Sequence, residues 1–219
     1  MYAKYIKRIL DFILSLIALI VLSPVLLVVA ILVRIKLGSP IIFKQQRPGK
    51  DEKIFTLYKF RTMTDKKDEN GNLLPDSERL TKFGKVLRST SLDELPELVN
   101  ILKGDMSIVG PRPLLIRDML FMTDEQRKRH TVRQGLTGLA QINGRNNINW
   151  EEKLEYDLQY IKNITFVGDV EIIFKTVLKV LKRDDINTDG MDTAEDLCDY
   201  LLRTNKITKE EYKEKLKIY

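Results

Sequence analysis

Residues 88–113 read RSTSLDELPELVNILKGDMSIVGPRP. Leu92, Leu95, Leu98, Val99 and Leu102 recur at helical spacing, so a helix is expected over 92–102. Pro96 fits badly beyond a first turn. Either the helix starts irregularly, or its regular part begins near Pro96 and 91–95 form an entry turn. Both readings leave the adjacent carboxylates Asp93 and Glu94 at the mouth, near unpaired N–H groups. Arg88 precedes them, and a Gly turn with a rigid Pro111-Arg112-Pro113 corner follows. An acid pair with flanking cations at a helix start suits a magnesium-assisted reaction at phosphorus. The same residues also spell a capping box, in which Ser91 caps and Glu94 reaches back. Local sequence alone favours the box.

On the N-terminal side, Ile41-Ile42-Phe43 and Ile54-Phe55-Thr56-Leu57-Tyr58 have β-type content around a Pro48-Gly49-Lys50-Asp51 turn, so a hairpin is expected. Alternation puts Phe55, Leu57, Lys59 and Arg61 on one face. Lys59 and Arg61 then extend that face toward a charged ligand or headgroup, or simply end the strand in solvent. The stretch 64–80 is polar and turn-rich, a surface loop. On the C-terminal side, 114–129 looks helical, and 151–161 and 170–181 read as amphipathic helices. The faces at 114–122 and 170–181 suit either the headgroup plane or core packing. Gly135, Gly138 and Gly144 punctuate a loop carrying Arg133, Gln141, Asn143 and Arg145. His130, in a charged stretch, is expected to be solvated or interfacial. Several helices and one small sheet make the fold class α+β, mainly α with a small β-hairpin. No alternating βα pattern supports a doubly wound nucleotide domain.

Residues 12–33 form an apolar run whose only polar members are Ser15 and Ser23. As one helix it would reach about 33 Å, enough to cross a bilayer core. A cleaved signal peptide fits poorly, because the run is long and no small-residue cleavage site follows. Pro24 lies at mid-run, lacks an N–H and clashes with the Ile20 carbonyl, so a kink is expected there. Ser23 can bond back to the helix and help satisfy the freed carbonyls. Both flanks are positive, with Lys4, Lys7 and Arg8 before and Arg34 and Lys36 after, which suits both ends on the cytoplasmic side. A kinked span and a re-entrant hairpin both satisfy this physics.

The net charge of +6 favours an anionic partner: nucleic acid, anionic lipid or a nucleotide substrate. Aromatic residues are sparse among the basic ones and no nucleic-acid-binding motif is present, so nucleic acid is not expected. The lone Cys198 allows no internal disulfide. Asp185-Ile186-Asn187-Thr188-Asp189-Gly190 matches the first half of a calcium loop, but Asp192 and Asp196 break the second half, so an acidic connector is the better reading. Residues 193–219 read as two short helices, the second opened by a Thr208-Lys209-Glu210-Glu211 capping box. This tail resembles helix–turn–helix oligomerisation appendages, so a homo-oligomer is one expectation.

Several motifs in order resemble the bacterial sugar transferase family, the monotopic polyprenyl-phosphate phosphoglycosyl transferases. They are Ser23-Pro24, Tyr58-Lys59-Phe60-Arg61-Thr62-Met63, Leu92-Asp93-Glu94-Leu95-Pro96, Lys103-Gly104-Asp105-Met106-Ser107, Gly110-Pro111-Arg112-Pro113 and Gly135-Leu136-Thr137-Gly138-Leu139-Ala140-Gln141. The resemblance covers about residues 1–185 and looks like the small form without an extra transmembrane bundle. It implies a re-entrant helix–break–helix anchor at 1–38 with Ser23-Pro24 as the break, a catalytic domain at 39–185 and a helical appendage at 186–219. Interfacial amphipathic helices would surround the catalytic domain on the cytoplasmic face of a bacterial inner membrane. The implied reaction moves a sugar phosphate from a UDP-sugar to polyprenyl phosphate with Mg²⁺. Asp93 would attack the β-phosphorus, Glu94 would hold the metal beside it, and Arg88 would sit on the transferring or leaving phosphate. Lys59, Arg112, Gln141, Arg145 and Asp157 are the further substrate-binding candidates. Resemblance around Asp189-Gly190-Met191 points to an N-acetylated sugar. A membrane-anchored scaffold that binds anionic lipid and protein partners would explain the charge, the apolar run and the tail. It gives no reason for Asp93-Glu94 beside Arg88.

Overall fold

The computed structural model describes residues 1–144, 148–182 and 195–217. A wide turn at Tyr2–Ile6 leads into helix α1 (Lys7–Val21), which meets α2 (Ser23–Leu37) at a bend of 63°. The cause of the bend is the one legible in the sequence. Pro24 occupies the first turn of α2, and Ser23 Oγ donates to the Ile20 carbonyl at 2.8 Å. Each arm has 15 residues, or about 22 Å of helix, short of a bilayer core of about 30 Å. No single helix among the described residues is long and apolar enough to cross a membrane. Both arms leave large apolar side chains exposed, including Phe12, Ile17, Ile20, Leu27, Val28 and Ile31.

Strands β1 (Ile42–Pro48) and β2 (Ile54–Phe60) form the expected antiparallel hairpin, with Phe43 opposite Lys59 and Gln45 opposite Leu57. Phe55 and Leu57 point into a core with Leu98, Ile101 and Met106. The short helix α3 (Asp76–Arg79) precedes α4 (Lys82–Ser89), which Thr81 caps by accepting from the Gly84 N–H at 3.0 Å. Gly84 lies so close to the Thr62 carbonyl that a Cβ would stand 1.9 Å from its oxygen. That approach seats α4 against the end of β2.

The stretch after α4 resolves the open choice about Pro96. Leu92–Glu94 is a single 3₁₀ turn, and regular helix α5 runs over Glu97–Lys103. The Ser91 capping box does not form: Ser91 sits at φ 55° and its side chain caps nothing. A side chain in that left-handed backbone cannot adopt the extended N-cap geometry. Gly104, at φ 93°, ends α5 and turns the chain into β3 (Met106–Val109). β3 pairs in parallel with β4 (Gln134–Thr137), so the chain has a second two-stranded sheet that period-2 reading missed.

The long helix expected over 114–129 is replaced by two single turns, α6 (Ile116–Met119) and α7 (Asp124–Arg127), and a 3₁₀ turn at Lys128–Thr131. Thr123 and Gln126 build a capping box that restarts the chain in a new direction. His130 is buried at 2% exposure, not solvated, because this last turn folds inward against the β1–β2 loop. Helices α8 (Leu139–Ile142), α9 (Trp150–Lys162) and α10 (Phe166–Lys182) follow. α10 exposes Phe166, Val167, Phe174, Val177 and Leu181, whereas Phe121 and Met122 of the 114–122 stretch pack into a core with Trp150 and Leu154. Helix α11 (Leu197–Arg203) adds Leu197 and Cys198 to that core, and α12 (Lys209–Lys217) packs Tyr212 and Leu216 against it. The Thr208–Glu211 box forms as expected.

Polar bonds fasten α1 to the rest of the chain. Asp11, 4% exposed, accepts from Ser107 Oγ at 2.7 Å and the Ile108 N–H at 3.0 Å, at the edge of β3. Arg8 donates to the Ile101 and Leu102 carbonyls at the end of α5. Asp169 on α10 accepts from Lys7, Tyr2 and Tyr160. The bent helix pair is therefore held at a set angle beside α5, the helix that follows the acid pair.

Candidate active site

The 3₁₀ turn carries Asp93 and Glu94 into a cluster drawn from four separate stretches. Lys59 comes from the end of β2, Arg88 from α4, Glu97 from α5 and Arg112 from the double-proline corner. Asp93 is buried at 7% exposure. Glu94 Oε1 accepts from Lys59 Nζ at 2.7 Å and from Arg112 Nη2 at 2.6 Å. Lys59 Nζ also lies 3.1 Å from Glu97 Oε1. Arg88 Nε donates to Thr62 Oγ1 at 3.2 Å, so the close fit of α4 on β2 also sets where Arg88 stands.

The charges act unequally on the three acids. Burial pushes the Asp93 carboxyl up to about 6 and the Glu94 charge adds to the rise, while Lys59, Arg88 and Arg112 pull it down. The cations alone would have kept Asp93 low. Burial and Glu94 outweigh them, yet Asp93 stays mostly ionised at neutral pH. Burial acts to raise Glu94 as well, but Arg112 and Lys59 overcome it and hold that carboxyl well below the usual range. Glu97 rises to about 7 through burial, with Lys59 opposing and Glu94 adding. Arg112, 44% exposed along its side chain, is the cation most open to an incoming anion.

Behind the cluster stands a second ion pair. Arg129, fully buried, places Nε and Nη2 at 2.9 and 2.8 Å from Asp157 Oδ2. The same Nη2 donates to the Arg112 carbonyl at 2.6 Å. Asp157 thus reaches the corner through Arg129. Arg47 Nη1 donates to the Pro113 carbonyl at 3.3 Å, holding the corner from its other side. Gln141 is 9% exposed, and neither of its amide atoms has a partner within the protein. Its Oε1 stands 2.9 Å from where a Cβ on Gly138 would be, and the Gly110 carbonyl lies 2.2 Å from that same point. A buried amide left unpaired costs about 1–3 kcal/mol, so this group has capacity for a ligand or a water. Arg145, the calcium-like half-loop and Asp189-Gly190-Met191 lie outside the described residues.

Sequence reading therefore brought Lys59, Arg88, Asp93, Glu94 and Arg112 to one place and missed Glu97 and Arg129. Glu97 had a signal: it stands three residues after Glu94, on the same helical face. Arg129 had none, because its partners come from 17 and 28 residues away. For a metal, Asp93 and Glu94 offer the hard oxygen donors that magnesium prefers. Among the described residues no group of three such side chains converges on one point.

The family model for bacterial sugar transferases matches residues 2–183. EpsL of Bacillus subtilis strain 168, an uncharacterised sugar transferase, is 51% identical over 190 residues, which cover 87% of this chain and 94% of EpsL. A UDP-glucose:undecaprenyl-phosphate glucose-1-phosphate transferase of Klebsiella pneumoniae is 44% identical over 188 residues, 79% of this chain and 39% of its own length. A UDP-N-acetylgalactosamine-undecaprenyl-phosphate N-acetylgalactosaminephosphotransferase of Aeromonas hydrophila is 37% identical, over 81% of this chain and 44% of its own length. The chain spans less than half of these two longer relatives. With a family match over most of its length and charged motifs gathered at one site, this chain belongs to the bacterial sugar transferases.

Proposed function

We propose that this chain transfers a sugar 1-phosphate from a UDP-sugar to a polyprenyl phosphate at the cytoplasmic face of a bacterial inner membrane, releasing UMP. The observation that carries this reading is Asp93, a buried carboxylate beside Glu94 with three cations, Lys59, Arg88 and Arg112, around it. In the first step an Asp93 oxygen attacks the β-phosphorus of the donor. The bond from that phosphorus to the bridging oxygen breaks, and its electron pair leaves with UMP. An aspartyl-phosphosugar remains. In the second step an oxygen of the polyprenyl phosphate attacks the same phosphorus, and the Asp93 carboxylate leaves. No proton must be removed from Asp93, because it acts as an anion.

Arg112 and Arg88 suit the phosphate oxygens, since guanidinium forks match them in geometry and charge. Lys59 adds a point charge from the interior side of the site. A magnesium ion, held by Glu94 with Asp93 beside it, would offset charge on the diphosphate. The donor is soluble and the acceptor is a lipid, so their phosphates must meet at a membrane surface. The bent α1–α2 pair, with arms too short to span and exposed apolar side chains, suits a re-entrant anchor. The exposed apolar face of α10 suits the interfacial layer beside it. The relatives' names include both a glucose and an N-acetylgalactosamine donor, and we take an N-acetylated sugar as the donor here. The test is UMP release across a panel of UDP-sugars in the presence of undecaprenyl phosphate. Turnover with an acetamido sugar above its hydroxyl counterpart is expected. No UMP from any member would overturn the reading.

A further inference from the structure

Glu97 has no role in the reaction just described, yet it is the most deeply buried of the three acids, at 3% exposure. Its Oε1 lies 3.1 Å from Lys59 Nζ. Lys59 stands between two carboxylates of different character. Glu94, on the outer side, is 17% exposed along its side chain and shares one oxygen between Lys59 and Arg112. Glu97, on the inner side, looks toward Lys59 on β2, Glu94 on the 3₁₀ turn, Arg112 on the corner and Arg47 on β1. Any ligand that engages Glu94 from outside competes with both of its cations. Arg112 is open enough to swing onto an incoming phosphate. Lys59, with its side chain 19% exposed, would follow Glu94 outward unless a second anion held it.

We propose that Glu97 is a positioning residue that anchors Lys59 from the interior, so that the ammonium stays beside Asp93 when Glu94 turns to a cation and Arg112 to the donor diphosphate. This rests on the reading that the cluster binds a diphosphate. The arrangement explains why an acid is kept in a place where burial disfavours its charge: an ammonium between two carboxylates can lose one partner without being left unpaired. It also divides the labour among the cations. Arg112 is the mobile one, bonded through its exposed side chain, and Lys59 is the fixed one.

The test is competitive acylation of the full-length protein with acetic anhydride at pH 8, read lysine by lysine by peptide mass spectrometry. Lys59 should be protected in the wild type and remain protected in Glu94→Gln. Glu97→Gln should expose it, with about tenfold faster acylation, as the amine loses its inner anchor and opens to solvent. Lys7, paired with Asp169 well away from the site, reports that the fold is intact. If the Glu97→Gln protein loses protection at Lys7, Glu97→Asp takes its place, with intermediate protection at Lys59 expected. Lys59 unchanged in Glu97→Gln but exposed in Glu94→Gln would overturn the proposal. Kinetics supply the second arm. Glu97→Gln should raise the donor KM about tenfold with a smaller change in kcat, and Lys59→Met with Glu97→Gln should be no worse than Lys59→Met alone. Additive losses would contradict an action through Lys59. If no UDP-sugar yields UMP, the functional reading falls, while the acylation pattern still decides the role of Glu97.

Discussion

The charged cluster, which takes in Arg112, and the C-terminal segment at 195–217, which meets Leu114 and Asp118, hold neighbouring stretches of the chain by opposite means. At the cluster, three acids and three cations share a largely buried space, and several carboxyls sit far from their ordinary proton affinity. Buried ion pairs of this kind add little net stability, because desolvation offsets their attraction. The C-terminal segment works by apolar burial. Leu197 and Cys198 are at 2% and 0% exposure among Phe121, Met122, Trp150 and Leu154. Its polar bonds are ordinary ones: the Leu197 N–H donates to Asp118 Oδ1 at 2.9 Å, and Trp150 Nε1 donates to the Glu195 carbonyl at 3.1 Å. Asp118 also accepts from the Leu115 N–H at 3.1 Å, two residues past Pro113. Charge burial at the cluster costs stability, and apolar packing of the C-terminal segment supplies it. Reactive charges are confined to one cluster, and packing on the far side of the corner steadies the segment that carries Arg112.

Changes on the two sides should therefore separate stability from chemistry. The largest stability effect is expected between them, at the ion pair that ties the corner to α9. Asp157→Ala leaves Arg129 buried and unpaired and should cost about 3–5 kcal/mol in chemical denaturation. Some activity should be lost with it, because Arg129 also holds the Arg112 carbonyl. A cost near zero would mean that the pair is dispensable to the fold. Leu197→Ala should come next, at about 2–5 kcal/mol, with kcat per folded molecule close to wild type. A drop in kcat at unchanged stability would blur the contrast and give the segment a direct part in the reaction.

The pH profile sharpens the cluster's side of the comparison. In the proposed first step Asp93 attacks as the carboxylate, and burial raises its pKa to about 6. Donor cleavage should be full above that value and fall about tenfold per unit below it. Glu94→Gln removes the like charge, so whatever its effect on kcat, it should move this acid limb to lower pH. An acid limb near 4 in the wild type would show that burial does not govern Asp93.

The parts of the fold legible in the sequence rest on local chemistry. Pro24 with Ser23 predicted the bend, the turn at 48–51 predicted the hairpin, and Pro96 marked where regular helix begins. The parts that were not legible depend on distant partners. The 114–129 stretch has helical periodicity, but Thr123 with Gln126 caps a new start and Phe121 and Met122 are drawn into a core completed by Leu197. β3 and β4 are four residues each, too short for alternation to mark them, and they pair across nearly 30 residues of chain. His130 stands in a run of charges, yet its turn folds under the β1–β2 loop. Asp11 interrupts the charge pattern of α1 for a reason visible only in its bonds to Ser107 and Ile108. At the site, the motifs named most of the cluster, Glu97 had only its spacing from Glu94 to mark it, and Arg129 needed the fold.

The central claim is that Asp93 carries the phosphosugar covalently, and one measurement addresses it most directly. The protein is incubated with UDP-sugar radiolabelled in the sugar, without any lipid acceptor, and quenched at low temperature. UMP should appear in an amount matching the enzyme, with label retained on the chain, released by hydroxylamine as expected for an acyl phosphate, and absent from Asp93→Asn. Active enzyme that releases UMP only when polyprenyl phosphate is present, with no label on the protein, would contradict the account. The acceptor phosphate would then be the direct attacker, and Asp93 a residue that only shapes the charge around it.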